Sequence, residues 1–282
     1  MNKMPNLRGY RATNMQAIPS HGNLQVWLNG KRVSQHELDL VSQKGLTVRR
    51  MIFELLRQDE EQYSVFRTWF AEHGKVMKSN NNYALVLDIP EPHIIHIAGA
   101  SGSGKTTLGN RLKSSFGDRI MVKDLDELRG QFVADRYDGG PVRNFDREAY
   151  QDYIDNFVQS NKFKPLVFVG LNVMPWWHPN HFYELHATDK HYIDVPDVTV
   201  LRQKCKRLLL DLANSEQDMQ FLVDHNAKFI NNVTQALKDE CNLEKVVEES
   251  QRWTNAFRTQ GYQFSTADEI FNAVLRPSHN KI

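Results

Sequence analysis

One nine-residue segment constrains the fold of this 282-residue chain more than any other feature. It follows the apolar run His93–Ala98 and precedes two leucines at helical spacing, Leu108 and Leu112. The segment fits the pattern G-x-x-x-x-G-K-[ST] in full, with the residues Gly99, Ala100, Ser101, Gly102, Ser103, Gly104, Lys105, Thr106 and Thr107. A strand, a glycine-rich loop and a helix in that order predict backbone N–H groups that surround phosphate oxygens.

Two side chains of this segment suit the same chemistry. Lys105 can bring a positive charge to the β- and γ-phosphates, and the Thr106 hydroxyl can ligate Mg²⁺. The alternative is a chance glycine-rich turn between a strand and a helix, which the full match and its context disfavour. We therefore expect a site for nucleotide phosphates, although the loop alone does not identify a reaction.

A pair of acids follows the next apolar run, Arg119–Lys123, as Asp124-Leu-Asp126. In an open parallel sheet, ligands bind outside the carboxyl ends of the strands, so both carboxylates are expected beside the loop. Asp124 is predicted to hold Mg²⁺ through water or to accept a proton from a substrate hydroxyl, and Asp126 is a second candidate. The alternative is a solvated acidic turn in which Asp126 caps the next helix.

The third apolar run, Leu166–Gly170, ends without an acid, so the usual Walker B position of motor ATPases and GTPases is not filled. Gly170 could let a substrate approach the backbone closely, and Asn172 could form a hydrogen bond with it. Trp176 could stack on a planar base, or it could simply hold a loop onto the core. These three residues are candidate contacts of a substrate.

Several arginines are candidates for contact with phosphate. A fourth run, His191–Val195, precedes a helix that carries Arg202 and Arg207, which we expect to approach a transferring phosphoryl group. An ordinary solvated basic face is the alternative. Arg129, after the acidic pair, could grip an anionic acceptor or belong to a plain loop.

The pattern along the chain predicts a flexible tail over residues 1–22, a small α+β module over 23–90 and a larger domain over 91–282. In the small module, Leu24–Leu28 favours a strand and Asn29-Gly30 a hairpin turn. The later runs alternate with helical patterns, which indicates a parallel sheet covered on both faces. Ser265 and Asp268 suggest a capping box for the last helix.

Composition excludes several classes of protein. Lys and Arg number 35 against 34 Asp and Glu, a formal net charge of +1, which argues against a dedicated polyanion binder. No apolar run approaches the roughly 20 residues that cross a bilayer, so no membrane partner is expected. With only Cys205 and Cys241, a disulfide scaffold or cysteine zinc site is not expected, and a cytoplasmic location is the prediction.

The loop at 99–107, the Asp124–Asp126 pair and Gly170 resemble the small P-loop kinases of the nucleoside, nucleotide, shikimate and gluconate type. The resemblance covers residues from about 93 to 276. It implies a three-layer α/β domain with a five-stranded parallel sheet in the order 2-3-1-4-5. It also implies that Lys105 steadies the β/γ-phosphates, that Thr106 binds Mg²⁺, and that Asp124 acts on the acceptor hydroxyl or on the metal's water shell.

By the same resemblance, Arg202 or Arg207 comes from a lid region, and the turn around Phe264–Asp268 lies near the adenine. The resulting hypothesis is an ATP- and Mg²⁺-dependent phosphotransferase with a small-molecule acceptor, a nucleoside or nucleotide. One alternative is a kinase that acts on a nucleic-acid end or on a base in DNA, since residues 1–90 carry a net +4. Another is a catalytically silent nucleotide-binding adaptor. The oligomeric state is left open.

Overall fold

The computed structural model of the protein describes residues 11–12, 23–42, 47–58, 60–79, 82–137, 145–171 and 185–275. The chain divides into two compact units, one of residues 1–93 and 154–164 and the other of residues 94–153 and 165–282. Sequence patterning put the boundary between 90 and 91 and did not assign 154–164 to the first unit. Of the tail predicted at 1–22, only Arg11 and Ala12 are described, and they form a strand.

The described residues of the first unit form a mixed sheet, three helices and the end of a fourth helix at residues 154–160. The strands are β1 (Arg11–Ala12), β2 (Asn23–Leu28), β3 (Lys31–Arg32), β4 (Lys75–Ser79) and β5 (Asn82–Leu87), in the order β1-β4-β5-β2-β3. The helices are α1 (Gln35–Ser42), α2 (Val48–Leu55) and α3 (Tyr63–His73). Neighbouring strands are antiparallel except β2 and β5, which are parallel. Asn29 and Gly30 have φ values of 48° and 72°, as a tight hairpin between β2 and β3 requires.

Aromatic and aliphatic side chains fill the core of the first unit. Ile52, Phe66 and Phe70 are fully buried between the helices and the sheet. Phe163 packs against Phe66 and Trp69, with ring centroids 5.2 Å and 4.9 Å apart. This contact explains why residues 154–164 belong to a unit that is otherwise amino-terminal.

A five-stranded, all-parallel sheet forms the centre of the second unit, which confirms that part of the predicted architecture. Its strands are β6 (Ile94–Gly99), β7 (Met121–Asp124), β8 (Leu166–Val169), β9 (Asp189–Ile193) and β10 (Gln263–Ser265). They lie in the order β10-β9-β6-β8-β7. Numbered 1 to 5 along the chain and read from the β7 edge, this order is 2-3-1-4-5. Every residue of β6 and β8 is buried, as expected for central strands covered on both sides.

Helices lie on both faces of this sheet. The helices of this part of the chain are α4 (Lys105–Phe116), α5 (Leu125–Tyr137), α6 (Arg147–Ser160), α7 (Asp197–Asn214), α8 (Glu216–Asp224), α9 (Asn226–Glu240), α10 (Leu243–Thr259) and α11 (Ala267–Leu275), and residues 154–160 of α6 belong to the first unit. Because alternate residues of a strand point to opposite faces, Ile97 packs with α4 and α11 whereas Ala98 packs with α10. Within the described ranges, no helix is long and apolar enough to span a bilayer.

The last helix is capped one residue later than the sequence suggested. Thr266 and Glu269 form the reciprocal pair: the Thr266 N–H donates to Glu269 Oε2 at 2.8 Å, and the Glu269 N–H donates to Thr266 Oγ1 at 3.3 Å. The predicted pair, Ser265 and Asp268, is wrong because β10 continues through Ser265 and α11 begins at Ala267.

Candidate functional site

A cavity of about 580 Å³ lies at the carboxyl ends of β6, β7 and β8. The loop between β6 and α4 forms one wall, and Asp124, at the end of β7, lines the same space. The lining residues are Ser101, Gly102, Ser103, Gly104, Lys105, Thr106, Thr107, Leu108, Arg111, Asp124, Asp126, Gly170, Leu171, Thr199, Gln203, Arg207 and Ala267. The glycine-rich loop and the acidic pair are therefore brought together. Gly99 and Ala100, the other two residues predicted in the loop, are buried beneath it.

The amine of Lys105 is folded back onto its own loop. Its Nζ donates hydrogen bonds to the carbonyl oxygens of Gly99, at 2.8 Å, and Ala100, at 2.9 Å. Burial lowers the pKa of Lys105 to about 8, although the carboxylates of Asp126 and Asp124 act in the opposite direction. The positive charge is thus incompletely solvated, and an anion in the cavity would stabilise it.

Ser103 adds an unsatisfied polar group to the same loop. Its side chain is buried, and Oγ has no hydrogen-bond partner in the described part of the chain. A buried hydroxyl without a partner is unfavourable, so a ligand that supplies an acceptor oxygen would relieve the cost. The loop therefore fits an oxygen-rich anion at its centre.

The two acids have different environments. Asp124 is half-buried, and its Oδ1 accepts a hydrogen bond from the backbone N–H of Asp126 at 2.9 Å, which caps α5. Asp126 is exposed and lies 3.6 Å from the guanidinium of Arg129. The capping role that one interpretation gave to Asp126 belongs to Asp124. Both side chains still border the cavity.

Oxygen ligands suited to Mg²⁺ are present at this edge. The Thr106 hydroxyl and the Asp124 carboxylate line the one cavity, and Mg²⁺ prefers a few such oxygens together with water. In the ranges that the structure describes, no group of three or more His, Cys, Asp or Glu side chains forms a protein-only metal site. The residues present thus fit a metal held jointly with a phosphate ligand.

The arginines predicted to contact phosphate differ in position. Arg207 lines the cavity, and its charge helps to lower the pKa of Lys105. Thr199 and Gln203 line the cavity on the same face of α7, at intervals of four residues from Arg207. Arg202 is exposed and is not among the lining residues, and Arg129 contacts Asp126 without lining the cavity. Asn172 and Trp176 lie outside the described residues.

Sequence reasoning did not identify His96, which is buried in the middle of β6. Its Nε2 lies 3.1 Å from the carbonyl oxygen of Gly170, and its Nδ1 contacts the Tyr262 hydroxyl. Burial lowers the pKa of His96 to about 4, so the ring is neutral at pH 7. Since a carbonyl only accepts, Nε2 carries the proton and Nδ1 accepts from Tyr262. The only signal was a polar residue within an apolar strand.

Arg111 was also missed. This α4 side chain lines the cavity, forms an ion pair with Asp268 of α11, and lies over the Phe271 ring at 3.9 Å from its centroid. The two partners fix the guanidinium beside Ala267, another lining residue. No sequence motif marks this arrangement, because the partners are separated by more than 150 positions in the chain.

Helix α7 lies directly against the loop at Gly102. The φ of Gly102 is +84°, and a Cβ there would lie 3.2 Å from the Gln203 Cβ and 3.4 Å from the Val200 carbonyl oxygen. We expect Gly102→Ala to lower the free energy of unfolding by about 1–2 kcal/mol, because the left-handed backbone and the contact both disfavour a side chain.

The matched control for that prediction is Gly130→Ala in α5. Gly130 has no atom within 4 Å of an added Cβ, so alanine is expected to stabilise the helix by about 0.5–1 kcal/mol. Urea unfolding of the two variants measures both effects. Equal changes in the two variants would contradict the close approach of α7 to the loop.

Comparisons with known proteins identify no family. No family model matches the chain, and no curated protein matches it. Among solved structures, one similar chain is titled "Crystal structure of APE1195"; it is 17% identical, with a TM-score of 0.28, over 49% of this chain and 80% of that chain. The functional interpretation therefore depends on the residues of the site itself.

Proposed function

We propose that the protein is an ATP- and Mg²⁺-dependent phosphotransferase that moves the γ-phosphoryl group to a small acceptor, a nucleoside or nucleotide. The observation that carries this proposal is the cavity that the loop Ser101–Thr107 shares with Asp124. A loop of this kind binds phosphate, and a carboxylate across the same space can act on an acceptor.

The triphosphate is bound by the loop in this proposal. Backbone N–H groups at the start of α4 and the Ser103 hydroxyl donate to phosphate oxygens. Lys105 exchanges its hydrogen bonds to two carbonyl oxygens for contacts with the β- and γ-phosphates. The negative charge of the phosphates raises the pKa of the buried amine, so it is fully protonated at pH 7. Thr106 directly, and Asp124 through a water molecule, would hold Mg²⁺, which would neutralise phosphate charge when bound and leave the Asp124 carboxylate able to accept a proton.

Phosphoryl transfer is a displacement at the γ-phosphorus of ATP. The acceptor oxygen forms a bond to the γ-phosphorus, the bond from that phosphorus to the β–γ bridging oxygen breaks, and its electron pair leaves with ADP. The proton of an acceptor hydroxyl passes to the Asp124 carboxylate. Arg207, which lines the cavity, stabilises the negative charge on the transferring group.

In this proposal the base of the nucleotide binds at the α4–α11 side of the cavity. Arg111 and Ala267 line it there, and Arg111 is held by Asp268 and Phe271. A planar guanidinium fixed in this way can stack on a purine ring. This position agrees with the expected adenine site near Phe264–Asp268.

A screen for acceptors tests the proposal. Purified protein is incubated with Mg·ATP and with nucleosides, nucleoside monophosphates, sugars or DNA ends, and ADP formation is measured. We expect ADP formation that depends on a small acceptor. ATP binding without turnover on any acceptor would support the adaptor alternative, and turnover on DNA ends alone, weakening steeply with salt, would support the nucleic-acid alternative.

A further inference from the structure

The peptide group between Gly170 and Leu171 is fixed on one side by the interior of the second unit. The Gly170 N–H donates to the Ile97 carbonyl at 3.1 Å, and the Gly170 carbonyl accepts from His96 Nε2 at 3.1 Å. Gly170 adopts a φ of +138°, which disfavours a side chain. The His96 side chain thus holds the carbonyl of this peptide, and the Ile97 carbonyl holds the preceding peptide through the Gly170 N–H.

That orientation leaves a donor at the cavity. In a trans peptide the carbonyl and the following N–H point in opposite directions, and the described chain contains no cis peptide bond. The Leu171 N–H therefore points away from His96, at a residue that lines the cavity. Within the described ranges it has no hydrogen-bond acceptor, so it is available to a ligand.

Leu171 and Asp124 line the same cavity at the ends of adjacent strands, β8 and β7. Asp124 pairs with Val169 in the register of β7 and β8, and a Cβ on Gly170 would lie only 3.0 Å from the Leu125 Cβ. A carboxylate accepts a hydrogen bond and an N–H donates one. A hydroxyl group can satisfy both at once, whereas a phosphate at neutral pH has little O–H to donate to the carboxylate.

We propose that His96 is a positioning residue that presents the Leu171 N–H opposite Asp124, so that the acceptor reacts through a hydroxyl group. The Leu171 N–H binds the hydroxyl oxygen, and the hydroxyl proton faces the Asp124 carboxylate. This inference rests on the proposed phosphotransferase function. Within the acceptor class of that proposal, it selects the nucleoside over the nucleotide.

NMR of protein labelled with ¹⁵N-leucine tests this inference. The Leu171 amide signal is assigned by its loss in Leu171→Met, and the amides of Gly102, Gly104 and Lys105 are followed in uniformly labelled protein. Mg·AMP-PNP is added first, followed by each of the four 2′-deoxynucleosides or its 5′-monophosphate. We expect a nucleoside to shift the Leu171 signal at concentrations at least tenfold below those at which its monophosphate does.

Variants of His96 and Tyr262 distinguish a role of His96 in orienting the Gly170–Leu171 peptide from a role in folding alone. His96→Gln can keep a donor near the Gly170 carbonyl, whereas His96→Asn is too short to reach it. We expect the nucleoside-induced shift to persist in His96→Gln and to weaken at least tenfold in His96→Asn. Tyr262→Phe removes only the other contact of His96 and should leave the shift within twofold of the wild type.

The outcomes are distinct. If the loop amides respond to Mg·AMP-PNP but a monophosphate shifts Leu171 as readily as the nucleoside, the inference is wrong and the proposed nucleotide site stands. Equal weakening in His96→Gln and His96→Asn also overturns it. If His96→Asn does not fold, the comparison of nucleoside with monophosphate in the wild type still decides. If the loop amides do not respond, the proposed function fails and the inference fails with it.

Discussion

Replacing Lys105 by methionine is expected to lower the rate constant of phosphoryl transfer by on the order of 10³-fold, about 4 kcal/mol of transition-state stabilisation. The amine is the loop's only charged group, and it lies close enough to Asp124 and Asp126 for their charges to affect its pKa. Methionine retains the length of the side chain but supplies neither the charge nor the hydrogen bonds. Acceptor-dependent ADP formation measures the effect.

The same substitution is expected to stabilise the ligand-free protein at pH 7. Burial lowers the pKa of Lys105 from 10.5 to about 8, so folding disfavours the charged amine by up to about 3 kcal/mol. Between pH 8 and 10.5 the unfolded chain binds more protons than the folded chain, so wild-type stability rises with pH there. The difference in free energy of unfolding between Lys105→Met and the wild type should therefore decrease from pH 8 to pH 10.5.

Lys113→Met provides the control for both effects, because Lys113 is exposed on the same helix. We expect it to leave ADP formation within twofold of the wild type and to change the free energy of unfolding by less than about 0.5 kcal/mol. Unchanged ADP formation in Lys105→Met would contradict the assigned role of the loop. A stability difference that does not vary between pH 7 and 10.5 would contradict the environment assigned to its amine.

The parts of the site that could be predicted are those with a local signal. The glycines, lysine and threonine of the loop are adjacent in sequence, and their place between β6 and α4 follows from hydrophobic periodicity. Asp124 could be placed beside the loop because parallel strands end at one edge of a sheet. Periodicity also predicted the five parallel strands, the last of them from the apolar run Tyr262–Phe264, although their order was implied only by the family resemblance.

The parts that could not be predicted depend on contacts between distant residues. His96 meets Gly170 and Tyr262 across 74 and 166 positions, and nothing near it in the sequence distinguishes a positioning histidine from a core residue. The choice between Arg202 and Arg207 depended on the rotation of α7 about its axis, which a run of basic residues does not determine. The capping box was misplaced by one residue because Ser265 and Thr266 are both common N-cap residues, and the sequence did not show that β10 continues through Ser265.

His96 is expected to make the stability of the second unit depend on pH between about 6.5 and 4. Burial lowers its pKa from 6.5 to about 4 because the ring sits among apolar strands, and the charges of Lys190 and Lys105 add to the effect. In this range the unfolded chain binds the proton and the folded chain does not. The free energy of unfolding therefore falls as the pH falls, by about 2.5 kcal/mol at pH 4.5.

The His96→Gln variant isolates this contribution, because glutamine cannot titrate. His191, whose pKa is also lowered by burial, acts in the same direction in both proteins and cancels from their difference. Urea unfolding is measured at pH 7 and pH 4.5 from NMR signals of β6 and β8. The free energy of unfolding of the wild type minus that of His96→Gln should be about 2 kcal/mol smaller at pH 4.5 than at pH 7. If the free energy of unfolding falls by the same amount in both proteins, His96 is protonated in the folded state. The assignment of a neutral ring that donates from Nε2 to the Gly170 carbonyl would then be wrong.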